Sequence, residues 1–317
     1  MRARPQTQLG LLDGLAGQVP CNEFLERLET LVDWEPFRRE LEALFTATTG
    51  RLPRPPLVLF KMLLLQHCYG LSDPQCEELV GDRLSWRRFV GLSFEEPVPD
   101  ETTLVRFRAR LVAAGLQERL LGLVNAQLET QGLILKRVTL VDATLLAAAR
   151  RAPRRDNPQG GDPEADHTVK GGRPHYGYKA HVAVDEAHTL IRQAELSAAS
   201  DHDSGHFEAV VAGDERMVVA DKAYWSRARS QWLAARGIEN GILRRGTRNH
   251  PLGEPARKLN RFLSGVRSGI EKVFGHWKRS LGYRRVRYLG IRRNRLELEL
   301  KCVAWNLRRW VNLAPAA

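Results

Sequence analysis

RVTLVDATLL, Arg137–Leu146, is the stretch that decides the fold. It is short, rich in Val, Leu and Thr and bounded by charge, as a buried β-strand is, and it carries Asp142 in its middle. Everything before it has helical periodicity. After it, GYKAHVAVD and TLIRQAELSA, joined at Asp185 to His188, read as an antiparallel hairpin. HDSGHFEAVVAG reads as a helix, RMVVADKAY as a strand, SRARSQWLAARG as a helix and IENGILRR as a strand. Strands first, then strand alternating with helix, predict an α/β domain with a mixed sheet over residues 131–317, preceded by an all-helical domain over residues 1–130.

In the helical part, residues 22–46 repeat apolar side chains at three and four, which predicts two short helices or one kinked at Pro36. RLPRPPL is a break, and LVLFKMLLLQHCYGL then reads as a core helix too short to cross a bilayer. Ser72 and Asp73 before Pro74 start another helix, and Asp100 caps a third with Leu104, Phe107 and Leu111 inward and Arg106, Arg108 and Arg110 outward. Helix, tight turn at Gly70 to Asp73 and second helix are compatible with a helix-turn-helix reading DNA, with Arg83, Arg87 and Arg88 near its exposed end. Any helical hairpin produces the same pattern.

The 317 residues, 43% hydrophobic and 27% charged, suit a soluble globular protein of two domains. No apolar run is long enough for a membrane span, and MRARPQTQLGLLDG lacks the core of a signal peptide, so the expectation is a protein that stays in the cytoplasm. Cys21, Cys68, Cys76 and Cys302 have neither zinc nor disulfide spacing. The net charge of +12 is regional: from Arg244 to Arg309, 19 Lys or Arg stand against four acids, a local +15 that leaves −3 for the rest. With Trp277, Tyr283, Tyr288, Trp305 and Trp310 among them, those cations predict a surface for a polyanion, nucleic acid being the commonest. ARRAPRRDNPQGGDPEADHTVKGGRPHYG, nearly devoid of apolar side chains, reads as a long functional loop.

RFLSGVRSGIEKVFGHWK, Arg261–Lys278, is an amphipathic helix. Phe262, Val266, Ile270, Val273 and Trp277 fall within an arc of about 80° and face inward; Ser264, Arg267, Glu271 and Lys278 share another column. Taken alone, Arg267 and Glu271 are a surface ion pair. Asp142 and Asp221, however, both sit in strands that read as buried, where a lone carboxylate is costly. If the two converge with Glu271, their repulsion requires cations, and oxygen-only ligation suits Mg²⁺ or Mn²⁺. Two such ions activate a water or hydroxyl and stabilise the leaving oxygen of a phosphodiester. His202, Asp203 and His206 lack the third ligand and glutamate of a zinc hydrolase, and Lys179 and His181 read as ordinary sheet packing that could approach substrate.

The chain resembles bacterial insertion-sequence transposases of the DDE class, in the group that includes the insertion sequence five family. LSDPQCEELVGDRLSWRRFVGL and PDETTLVRFRARL resemble the family's helical N-terminal module. VDAT resembles its first-aspartate strand, DPEADHTVKGGRPHYGYKAHVAVD the segment that follows, and VVADKAYWS its second-aspartate strand. Arg267, Glu271 and Lys278 fit the last three positions of its Tyr, Arg, Glu, Lys signature, with Ser264 in place of the Tyr. Ala223 and His167 are further departures, at a usual Gly and a frequent aromatic.

The resemblance implies an RNase H-like catalytic domain in which Asp142, Asp221 and Glu271 bind two Mg²⁺ ions, with Mn²⁺ able to substitute. It implies that Arg267 and Lys278 hold DNA phosphates; Lys272, Arg87, Arg88 and Arg106 are further DNA-binding candidates. The implied function is a transposase that binds terminal inverted repeats, cleaves DNA there and joins 3′-hydroxyl ends to target DNA, as a homodimer on DNA. A DNA-binding relative without catalysis and a metal-dependent nuclease without strand transfer are the alternatives.

Overall fold

The computed structural model describes residues 22–45, 54–116, 119–154, 157, 160–246 and 249–315. The N-terminal stretch with Cys21, the start of the RLPRPPL break and part of the polar segment near residue 156 lie outside them.

Helices come first: α1 (Glu23–Leu31), α2 (Glu35–Glu42), α3 (Pro56–Tyr69), α4 (Asp73–Asp82), α5 (Leu84–Val90), α6 (Glu101–Ala113) and α7 (Leu120–Thr130). Pro36 lies in the first turn of α2, where its missing N–H costs nothing, so the chain there forms two helices and not one kinked helix. α3 is buried on every side from Val58 to Cys68. It ends at Gly70, whose φ of 72° needs glycine and whose added Cβ would lie 3.2 Å from the Leu281 carbonyl oxygen. Ser72 and Gln75 then form a reciprocal capping box that starts α4, and Asp100 accepts from the Thr103 N–H to start α6.

The strands are β1 (Val138–Ala147), β2 (Asp166–Lys170), β3 (Arg173–Asp185), β4 (Leu190–Ala198), β5 (Met217–Ala220) and β6 (Glu239–Asn240). β3 pairs antiparallel with β1, β4 and, over its first residues, β2; β5 pairs parallel with β1, and β6 parallel with β5. The order β4-β3-β1-β5-β6, antiparallel on one side of β1 and parallel on the other, is the RNase H-like mixed sheet. Three sequence expectations need correction. The polar segment after β1 is not all loop, since its second half builds β2 and the start of β3. Residues 203–210 make a 3₁₀ turn (Asp203–His206) and the single turn α8 (Phe207–Val210), and β6 is only two residues long.

The two faces of the sheet carry separate cores. Val141, Ala183, Val218 and Ala220 pack under α8 and α9 (Arg227–Ala234) against Phe207 and Leu233. Leu140, Leu146, Val182, Val184 and Val219 belong to a larger core that runs without a break into the N-terminal helices. α10 (Glu254–Arg279) and α11 (Ile291–Leu313) make that connection, α11 touching β4, α3 and α7 together. Asn306 on α11 accepts from Ile191 N and donates to Ile191 O and to Asn125 Oδ1 on α7, satisfying a buried amide from three sides. Glu299 accepts from Leu121 N, capping α7, which has no side-chain cap of its own.

The C-terminal region is therefore less of a surface than its composition suggests. Trp277, Tyr283 and Trp310 are core residues, and Glu297 and Lys301 are buried with them. On α10 the inward stripe is Leu263, Ile270, Val273 and Trp277; Phe262, expected inside, is 69% exposed.

Candidate active site

β1 and β5 run parallel with Val141 beside Ala220, so Asp142 and Asp221 follow one residue later, side by side. By the two-residue period both project, with Leu140 and Val219, from the face on which α10 lies. Gly269 lets α10 approach closely, for a Cβ there would stand 3.2 Å from Leu140 Cδ1.

Each carboxylate gives one oxygen to the backbone. Asp142 Oδ1 accepts from Ala143 N at 2.8 Å, and Asp221 Oδ1 accepts from Lys222 N at 2.7 Å as it caps the 3₁₀ turn Lys222–Tyr224. The other oxygen of Asp142, Oδ2, accepts from Arg267 Nη1 at 2.6 Å. Burial pushes the Asp142 carboxyl above its ordinary range; Arg267, the Ala143 N–H and Lys170 oppose that, and the charge of Asp221 adds to it. Arg267, expected to hold a DNA phosphate near the cleavage site, here stands against the first aspartate.

Glu271 is exposed and, among the described residues, makes no hydrogen bond or ion pair. The structure brings two of the three expected carboxylates together and leaves the third one helical turn beyond Arg267. Among the described residues no three His, Cys, Asp or Glu side chains are grouped to hold a metal ion. Glu271 is turned to solvent, and it is Arg267 that pairs with Asp142. The paired aspartates, with oxygen donors alone, still fit a hard divalent cation.

Beside the aspartates, beyond the end of β5, β1 continues into a cleft of about 620 Å³. Its floor includes Leu145, Ala147, Tyr176 and Phe274, and its cations are Lys170, Lys278, Arg279 and Arg284. None of the four has an acidic partner among the described residues. Burial, followed by the charges of Lys170 and Arg284, pulls the Lys278 ammonium below its ordinary pKa. Lys170 and the hairpin that carries it were not expected; the turn Lys170-Gly-Gly-Arg173, with both glycines at positive φ, is the signal in the sequence. Tyr224 was also missed: it is buried, its hydroxyl has no hydrogen-bond partner among the described residues, and burial with the charges of Asp203, Asp142 and Asp221 raises its pKa.

Other expected contacts fall elsewhere. Arg87 is buried and donates from Nη2 to the carbonyls of Ser93, Phe94 and Glu96, so it ties down a loop and cannot reach DNA. Arg108, expected outward, is buried in a bidentate pair with Asp73 at 2.7 and 2.5 Å. Arg88, Arg106 and Lys272 are exposed, Arg88 with Glu26 at 3.9 Å. His181 faces away from Asp142, is bonded to Ser197, and stacks on His206, whose ring meets Glu195 at 3.2 Å. Lys179 is held by Asp203 and the Asp201 carbonyl.

Sheet order and aspartate placement put the chain in the RNase H-like class. Within that class it belongs to the DDE transposases: residues 134–307 match the family described as "Transposase DDE domain", and residues 14–110 match "Transposase domain (DUF772)". It is thereby a transposase of the DNA-cleaving DDE enzyme class. Similar solved structures include a piggyBac transposase synaptic complex with hairpin DNA, 10% identical with a TM-score of 0.40, covering 93% of this chain and 80% of that one. The Mos1 strand transfer complex is 12% identical with a TM-score of 0.21, covering 83% and 97%. The Mos1 mariner paired end complex with Mn is 14% identical with a TM-score of 0.21, covering 88% and 92%.

Proposed function

We propose that this transposase binds the terminal inverted repeats of an insertion sequence, cleaves phosphodiester bonds there and joins the freed 3′-hydroxyl ends to target DNA. The observation that carries the proposal is the position of Asp142 and Asp221 at matching places on adjacent strands, one of which, β1, leads into a cleft whose four cations have no acidic partner among the described residues.

Asp142 and Asp221 would hold the divalent cations, Mg²⁺ or Mn²⁺, two per site, joined by Glu271 when its exposed side chain turns toward the sheet, and such cations would supply activation of a water or hydroxyl and stabilisation of a leaving oxygen. Lys278, with Lys170, Arg279 and Arg284, holds the DNA backbone in the cleft, and Arg267 takes a phosphate beside it. Exposed Arg88, Arg106 and Lys272 add contacts that position DNA without reading it. Two ends must meet before joining, so the working form is a homodimer on DNA, acting in the cytoplasm at the nucleoid.

Incubation of the protein with end-sequence duplex and Mg²⁺ tests this reading. Nicked and joined products from wild type, absent with Asp142→Asn, are expected. The exposure of Glu271 favours one second reading, a DNA-binding relative without catalysis; steeply salt-dependent end binding with no nicking at all would establish it instead. Nicking without joined products would leave a nuclease.

A further inference from the structure

We infer that Arg267 is an internal counter-ion that closes the metal site until DNA draws it away, so that DNA and divalent cations bind this protein cooperatively. The inference rests on the proposal that Asp142 and Asp221 hold the cation.

Asp142 has two oxygens, and both are engaged in the DNA-free protein. Oδ1 accepts from the N–H of Ala143, the next residue in the chain. Oδ2 is the one oxygen that can turn to a ligand, and Arg267 Nη1 holds it at 2.6 Å. A guanidinium at that distance occupies one lone-pair direction of Oδ2 and crowds the oxygen, and its positive charge repels a divalent ion seated between the two aspartates. Arg267 and the cation are therefore alternatives at Asp142.

The cationic cleft supplies the alternative position for Arg267. Its guanidinium carries five donors. In the closed position, among the described residues, one of them, at Nη1, is bonded to a side chain, and Nε is buried without a hydrogen-bond partner. A phosphate, which accepts a fork of two parallel N–H bonds, satisfies more of them. Arg267 stands eleven residues before Lys278 on the same column of α10, and Lys278 lines the cationic cleft. DNA lying in that cleft brings phosphates along the column. Release of Asp142 and capture of the backbone are then one movement of one side chain. By reciprocity, whatever factor DNA adds to metal affinity, metal adds to DNA affinity.

The test uses the full chain and Mn²⁺, with free Mn²⁺ followed by its electron paramagnetic resonance signal and the binding of Mn²⁺ to DNA alone subtracted. Without DNA, Arg267→Gln takes up Mn²⁺ about tenfold more tightly than wild type. A mixed-sequence duplex, which offers phosphates and no special sequence, tightens Mn²⁺ binding of wild type by about the same factor and that of Arg267→Gln little. Equal Mn²⁺ affinity of wild type and Arg267→Gln in the DNA-free state overturns the inference. Should Arg267→Gln fail to fold, wild type alone decides: the duplex must tighten Mn²⁺ and Mn²⁺ must tighten the duplex equally, and no coupling overturns it. Asp142→Asn separates the two layers. If that variant binds Mn²⁺ as wild type does, the aspartate pair is not the metal site and the functional reading fails; if it binds none while Arg267→Gln matches wild type, the counter-ion role alone fails.

Discussion

Asp142 and Asp221 stand at equivalent places on neighbouring parallel strands, one residue past the Val141–Ala220 pair, and their charges act on each other. In the metal-free protein that repulsion is a cost, on the order of 1–3 kcal/mol for unit charges about 5 Å apart in a protein-like medium. Asp221→Asn removes it while keeping an oxygen to accept the Lys222 N–H. Urea denaturation without metal should show Asp221→Asn to be more stable than wild type, although it no longer cleaves DNA. Lower stability would mean that the two carboxylates do not feel each other.

Arg106 and Arg108 lie on one helix with opposite fates. Arg108→Ala leaves Asp73 half-buried without its bidentate partner and should cost about 3–5 kcal/mol, seen in the melting curve. Arg106→Ala touches an exposed side chain and should change stability by less than about 0.5 kcal/mol. If Arg106 meets a phosphate, its loss reduces the salt slope of DNA binding by about one. An unchanged slope removes Arg106 from the interface.

The same two arginines show why part of the molecule is legible in sequence and part is not. A strand such as β1 announces itself by Val, Leu and Thr, and a carboxylate inside it is conspicuous, so Asp142 and Asp221 stand out. An arginine shows only its charge; whether its apolar stem and five donors find Asp73, or the carbonyls after α5, is decided by tertiary neighbours. The α10 stripe has the right width, but its rotation is set by what it packs against, which is how Leu263 lies inside and Phe262 out. Nor does spacing foretell that Arg267, four residues from Glu271, reaches across to β1. Short strands such as β6 carry too few residues for any period.

Gly269 tests the closeness of α10 to β1. Alanine there gains helix propensity, up to about 1 kcal/mol, against a contact at 3.2 Å that Leu140 must relieve, so Gly269→Ala should be near neutral. Gly269→Val adds two further carbons beside the Leu140 contact, in the β-branched shape that a helix disfavours, and should cost about 1–3 kcal/mol. Because the displaced helix carries Arg267 and Glu271, DNA cleavage should fall with it. A Val variant as stable as wild type would show that the helix is not seated on Leu140.

His181 gives the protein a defined acid limb. Burial, reinforced by the neighbouring His206, brings its pKa down to about 3. The unfolded chain takes up this proton near pH 6.5, the folded one only near 3, so stability is complete above pH 6.5 and falls as the pH drops between the two values. At pH 5 the loss from this group is roughly 2 kcal/mol. His181→Gln, which keeps a partner for Ser197, should flatten the dependence of the denaturation midpoint on pH between 7 and 5. A variant with the wild-type slope would assign the acid limb to buried His67, whose pKa is also lowered by burial.

Glu271 separates a structural from a chemical role most cleanly. An exposed carboxylate with no partner among the described residues contributes little to the fold, so Glu271→Gln should melt within about 0.5 kcal/mol of wild type. In the proposed role of third metal ligand it adds a carboxylate to the oxygen-only site that the two aspartates share, and the reaction depends on it. Cleavage of end DNA by Glu271→Gln should therefore fall by about 10³-fold or more, with DNA affinity retained. The neighbouring Lys272→Gln supplies the contrast: it should weaken DNA binding at every sequence and leave the rate on saturating DNA unchanged. A Glu271→Gln protein that cleaves normally would leave Asp142 and Asp221 to act without it, and Glu271 would then be a solvated residue on a basic helix.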